Sequence, residues 1–132
     1  MLNRAQVVAF AATAEPARAL VFYRDVLGLE LVADSPFALL FNANGVSLRV
    51  QKVQKVSVSG YTALGWNVDD IAATAAGLRA RGVVCERFPG LTQDADGIWR
   101  TPDGAQVAWF RDVDGNLISI TQHVVEKGLE KG

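Results

Sequence analysis

The chain has one cysteine, Cys85, and one histidine, His123, in 132 residues. A single thiol excludes an intrachain disulfide and a cysteine-built zinc cluster. It makes a reducing cytoplasm the expected compartment. No apolar run reaches the roughly 20 residues that a membrane-crossing helix needs. The first residues carry no basic stretch ahead of a long apolar core, so no secretory signal is expected. Charge of one sign is also lacking: 13 Lys and Arg face 14 Asp and Glu, a formal net charge of -1. Bulk charge therefore points to neither nucleic acid nor a membrane surface as partner. The glycines at 82, 90, 97 and 104 are too scattered for a phosphate-cradling loop. No Ser-His-Asp arrangement can be drawn.

What is present is an ordinary globular composition, 50% hydrophobic and 20% charged. The length fits one domain, and such a domain buries about two-thirds of the surface its unfolded chain exposes. The most telling stretch runs from Ala105 to His123. It reads as two short strands joined by an acidic, glycine-bearing turn at Asp114 and Gly115. In the second strand Leu117, Ser119 and Thr121 point one way and Ile118 and Ile120 the other.

Taken in order, residues 6–12 read as a strand. Thr13 can cap a helix and Pro16 suits its first turn. Leu20, Phe22 or Tyr23, and Leu27 recur at helical spacing, and Gly28 ends the helix in the left-handed conformation. Strands are expected at 29–33, 37–41 and 47–51. Residues 53–60 read as a linker. Then the order repeats: a strand at 62–68, a helix capped by Asp69 and ended by Gly82, a strand at 83–87, and the terminal hairpin. A long insertion, 89–104, precedes the hairpin. The expected modules span about 5–53 and 61–123 of one domain, and residues 124–132 read as a frayed tail. A repeated order of elements is an architectural signal in itself.

The run from Phe22 to Leu29 (FYRDVLGL), together with the hairpin around Asp112 to Ile120 (DVDGNLISI), resembles the vicinal oxygen chelate superfamily. That superfamily includes glyoxalase I, extradiol dioxygenases and bleomycin-resistance proteins. The resemblance implies an α+β fold of two βαβββ modules, whose mixed sheets form a cup with helices on the convex face. It also implies a homodimer and a small-molecule ligand.

In metal-using relatives, four side chains hold a divalent metal on the cup floor, two from the first strands and two from the last. Carried onto this chain, those positions fall on Val8, Arg49, Ala63 and Ser119. None offers the imidazole, amide or carboxylate that such metals favour. Arginine also brings a fixed positive charge. A one-residue slip would move each side chain to the opposite face, and a two-residue slip offers only Gln6, Gln51 and Thr121. No metal and no other cofactor is expected.

The same alternation sorts the candidate ligand-binding residues. If Val8 and Arg49 face the cup, so do Phe10 and Gln51, with Leu40 beside Arg49. If Ser119 does, a short hairpin brings Phe110, Ala108 and Gln106 with it. Trp66 and Trp109 then fall under the helices. Trp99 lies in the insertion, either as a lid over the cup or as a plug at its rim. Arg49 has two readings: it pairs with a neighbouring carboxylate, or its planar fork grips an anionic ligand. Cys85 reads as a buried thiol, and Asp112, Asp114 and Asp103 as turn acids.

The expected function is metal-free binding of a small amphipathic molecule, in the manner of bleomycin-resistance proteins but with an anionic rather than cationic ligand. A metal-dependent lyase, isomerase or dioxygenase is the alternative that bound metal would reveal. A metal-free enzyme using Arg49 as electrophile is a third, and needs a base within reach of the guanidinium.

Overall fold

Pro16 starts the first helix because its ring presets φ and its missing N–H has no partner in a first turn. In the computed structural model, which describes residues 1–124, α1 spans Pro16–Val21 and continues as a π-helical turn over Phe22–Val26. Leu27 N–H reaches back to the carbonyl of Phe22. Gly28, at φ +77°, then takes the left-handed turn that ends the segment. Thr13 does not cap this helix. It is the last residue of the preceding strand, and its hydroxyl accepts from the Glu15 N–H instead.

Around this helix the chain forms β1 (Val8–Thr13), β2 (Glu30–Asp34), β3 (Ala38–Ala43) and β4 (Val46–Lys52). The first sheet is ordered β1-β4-β3-β2, with β1 parallel to β4 and the other pairs antiparallel. Alternation gives it two unlike faces. One buries Leu39, Phe41, Leu48 and Val50. Ala19, Phe22 and Tyr23 are also buried, and Tyr23 lies against Phe41 at 5.7 Å between ring centroids.

The second half repeats the order. β5 (Leu64–Asn67), α2 (Ile71–Ala80), β6 (Trp99–Arg100), β7 (Gln106–Arg111) and β8 (Leu117–Gln122) make a sheet ordered β5-β8-β7-β6. Asp70, not Asp69, caps α2: its carboxylate accepts from Ala73 N–H, which Asp69 sits one residue too early to do. Gln122 accepts from Ile71 N–H and so ties β8 to the start of α2. Ile71, Ala75 and Leu78 are buried, as are Ile118 and Ile120.

The expected strand at 83–87 is not regular. Glu86 N–H bonds to the carbonyl of Trp109, but the paired outer strand is β6, inside the stretch read as an insertion. The reason is local. The Gln93 side chain donates to the carbonyls of Glu86 and Gly97 and accepts from Phe88 N–H. Asp94 accepts from the N–H groups of Asp96 and Ile98. These bonds fold 86–98 into an ordered loop and deliver Trp99 to the edge of β7.

The chain divides into two compact units, Met1–Leu64 with Arg111–Leu117, and Gly65–Phe110 with Ile118 onward. The expectation of a frayed tail falls, apart from Val124, outside the described residues. No described helix is long and apolar enough to cross a membrane.

Candidate functional site

The first sheet carries most of the expected ligand residues, and it brings them together on one face. Register sets Phe10 opposite Arg49 and Arg49 opposite Leu40, so the three form one row across the sheet. Val8 pairs with Ser47 in the row on one side, and Ala12, Gln51 and Ala38 align on the other. This is the face opposite the buried row of Leu39, Val50 and Ala11.

It is an open apolar surface. Phe10 is 50% exposed and Val8 40%. Leu40 and Arg49 are half-buried and Gln51 is exposed. Among the described residues the Arg49 guanidinium makes no ion pair and no hydrogen bond. The carboxylates on this sheet are engaged elsewhere: Asp34 pairs with Lys52, and Glu30 accepts from Asn42. An arginine flanked in register by Phe10 and Leu40, with no protein acceptor, presents its planar donor fork to whatever lies above the sheet.

On the second sheet Phe110 and Trp109 lie on faces opposite to those expected from the sequence. The turn between β7 and β8 holds three residues rather than two. Asp112 N–H bonds to the carbonyl of Asn116, and Gly115, at φ +88°, donates to the carbonyl of Asp112. Counting outward from that bond sets Phe110 opposite Ile118 and Trp109 opposite Ser119. Phe110 is 1% exposed, and Ala108, Ile118 and Ile120 are as deeply buried. Phe110 therefore belongs to the core with the two isoleucines and not with Ser119. Trp109 changes sides with it.

The face that carries Ser119 also carries an aromatic cluster. Trp99 stacks on Trp109, with centroids 6.2 Å apart and planes 29° apart. Phe88 meets Trp109 edge-to-face at 5.3 Å. Trp99 is thus pinned within the second unit by pairing with Val107 and by its neighbour ring. Trp66 alternates with Gly65 on β5 and points to the other side.

The four positions that the superfamily uses for metal do not fit one. Val8, Arg49, Ala63 and Ser119 supply a single weak oxygen donor and one fixed cation. Among the described residues no three His, Cys, Asp or Glu side chains are grouped to hold a metal ion. His123 is taken up by a 3.0 Å contact between its ring Nε2 and the Asn67 amide oxygen.

The acids read as turn residues are more than that. Tyr23 donates to the Asp112 carboxylate at 2.6 Å, and both groups are buried. Asn116 adds a second donor to the same oxygen at 2.8 Å and also bonds the carbonyl of Ala12 at 2.9 Å. The N–H groups of Asp114 and Asn116 satisfy the other Asp112 oxygen. Asp114 accepts from Ala14 N–H. This network locks the end of the hairpin to β1 and to the π-helical turn, all within the first unit. Burial first, and then the Asp112 charge and hydrogen bond, push the Tyr23 phenol far above its ordinary range. Its two ends lie in the two stretches that carry the sequence resemblance. Their contact is not visible in one sequence, because 89 positions separate them.

Cys85 lines an 80 Å³ cleft with Arg79, Val84, Arg87 and Asp96. Burial, with the nearby Asp96 and Asp94, raises its thiol pKa and so disfavours the thiolate.

A βαβββ unit repeated twice, with the same strand order in each sheet, defines a glyoxalase-like α+β protein. The profile of the Glyoxalase/Bleomycin resistance protein/Dioxygenase superfamily matches residues 5–120, and the chain belongs to that superfamily. Among solved structures it is similar to lactoylglutathione lyase from Agrobacterium tumefaciens, at 19% identity over 89% of this chain and 93% of that one, with a TM-score of 0.70. It is similar to TioX from Micromonospora sp. ML1, at 21% identity over 91% and 99% of the two chains, with a TM-score of 0.67. It is also similar to the fosfomycin resistance protein FosX from Listeria monocytogenes, at 12% identity over 98% of each chain, with a TM-score of 0.71. At these identities the likeness is one of fold. No curated protein matches the chain.

Proposed function

We propose that this chain is a metal-free binding protein for a small amphipathic anion, acting in the cytoplasm as a homodimer. Arg49 takes the anionic group in its planar fork, and Phe10, Val8 and Leu40 receive the apolar body, with Gln51 at the margin. The observation that carries the reading is Arg49 itself. It stands in register between Phe10 and Leu40, with no acceptor among the described residues. An apolar surface with one convergent polar group is the usual make-up of a small-molecule site. Phe110 takes no part, because it is core. The donor set at the superfamily's metal positions supports binding without a metal. The solved relatives include a lyase and a drug-resistance protein by their names, so membership alone favours neither catalysis nor sequestration.

A thermal-shift series with 4-phenylbutyrate and its uncharged amide tests this. At a tenfold excess over Kd a ligand adds about 1.4 kcal/mol. Unfolding entropy of about 2.1 cal/mol/K per residue over 132 residues converts this to a rise of about 5 °C. The acid is expected to stabilise the protein, and the amide is not. Arg49→Ala is expected to abolish the response while keeping the melting temperature of the free protein within a degree or two. An equal response of Arg49→Ala and the parent protein to the acid refutes the assignment.

A further inference from the structure

We propose that the turn between β3 and β4 is a self-modification site. Asn44, followed by Gly45, converts there to aspartate or isoaspartate, and a side-chain clamp made by Asn42 and Glu30 keeps the conversion slow. The reaction needs water and no enzyme. The main-chain nitrogen of Gly45 loses its proton and attacks the Asn44 Cγ. The bond from Cγ to Nδ2 breaks, and the side-chain nitrogen leaves as ammonia with that proton. Water then opens the cyclic imide. Opening at Cγ gives aspartate, and opening at the main-chain carbonyl gives isoaspartate.

The turn leaves the reacting atoms accessible. Asn44–Gly45 is the one Asn–Gly pair in the chain. Both residues are exposed, and both take positive φ, +52° and +87°, as a two-residue hairpin turn of this kind requires. Nothing lies within 4 Å of the point where a Cβ on Gly45 would stand, so the nitrogen is not shielded from the side. The Asn44 side chain makes no hydrogen bond among the described residues.

The restraint acts on the attacking atom. The Gly45 N–H donates to Asn42 Oδ1 at 2.7 Å. Asn42 Nδ2 in turn donates to Glu30 Oε1 at 3.1 Å, across the strand pair that sets Glu30 opposite Asn42. Proton loss from Gly45 breaks the first bond and turns the new anion toward an acceptor oxygen. The clamp therefore raises the cost of making the nucleophile, and Glu30 orients the amide that does so. Asn42 is a positioning residue for this chemistry.

The product bears on the first sheet. Isoaspartate adds a carbon to the main chain inside a two-residue turn, and that turn sets Ala43 opposite Val46 and, further along, Leu40 opposite Arg49. The modification itself does not depend on what Arg49 binds.

The test ages the full-length protein in mildly alkaline buffer. Trypsin then releases residues 25–49, and mass spectrometry follows the exchange of amide for acid and locates it by fragmentation. Folded protein should convert at Asn44, more slowly than the same protein unfolded in guanidinium. Asn42→Ala should convert about fivefold faster, the worth of one neutral hydrogen bond. Base-catalysed hydrogen exchange removes the same Gly45 proton, so its rate, read on nitrogen-15-labelled protein, should rise by a similar factor. A merely structural role for Asn42 would not single out that amide. If Asn42→Ala also loosens the Ala43 and Val46 amides, Glu30→Ala decides, with a smaller rise expected. Equal rates in folded and unfolded protein, conversion at Asn42 instead of Asn44, or no rise in the deciding variant overturns the proposal.

Discussion

Replacing Tyr23 by phenylalanine removes one oxygen from the most connected polar group in the first unit. The lost contact is a 2.6 Å hydrogen bond to a buried carboxylate. Hydrogen bonds to charged groups contribute about 1.5–3 kcal/mol. Asp112 keeps the Asn116 side chain and two backbone N–H donors. Its charge is therefore not stranded, and the lower end applies, about 1.5–2 kcal/mol. With about 2.1 cal/mol/K per residue over 132 residues, the melting temperature falls by about 5–7 °C.

The pH dependence gives a sharper signature. The folded Tyr23 phenol is held protonated far above its ordinary value by burial and by Asp112. The unfolded phenol ionises near pH 10. Above that pH the unfolded state releases a proton that the folded state keeps, so stability falls as pH rises. At pH 11 one such group accounts for a loss of about 1.4 kcal/mol. Phenylalanine cannot ionise and is spared it. Every other ionisable group is common to the two proteins and drops out of the difference. Urea unfolding of the two proteins at pH 8 and pH 11 should therefore show the gap between them narrowing by about 1.4 kcal/mol. A gap that stays constant across this range would refute the buried Tyr23–Asp112 bond.

Asp70→Ala should cost about 1 kcal/mol in urea unfolding through loss of the α2 cap, and Asp69→Ala much less. Equal losses would mean the helix begins elsewhere. Gly97→Ala should cost more, about 1–3 kcal/mol. The residue sits at φ +85°, and a Cβ would come 2.9 Å from the Cys85 Cβ. Trimming its neighbour in Gly97→Ala/Cys85→Gly should recover the steric part alone, as a double-mutant cycle would report.

The fold was legible where alternation and punctuation agreed. Gly28 and Gly82 ended helices because only a left-handed residue can turn the chain there. The alternation of Val8, Phe10, Arg49 and Gln51 predicted a shared face, and register places them on one. The second module was harder. Its face assignment hung on the length of one turn, and a single residue in that loop exchanged Phe110 for Trp109. Val83–Arg87 has the apolar run of a strand, but the outer strand is a two-residue segment held by Gln93 and Asp94 side chains. Side-chain bonds of that kind leave no periodic trace. Asp112 looks like a turn acid in the sequence because its partner, Tyr23, lies in the other half of the chain.

This chain has the superfamily fold, and the side chains at the superfamily's metal-ligand positions offer a metal almost no donors. The most direct test is metal content, measured by mass spectrometry on protein purified without chelator and again after incubation with manganese, nickel and zinc. Well under a tenth of an equivalent of any divalent metal is expected to survive gel filtration in either sample. One equivalent per chain, lost when Ser119 is replaced by alanine, would contradict it.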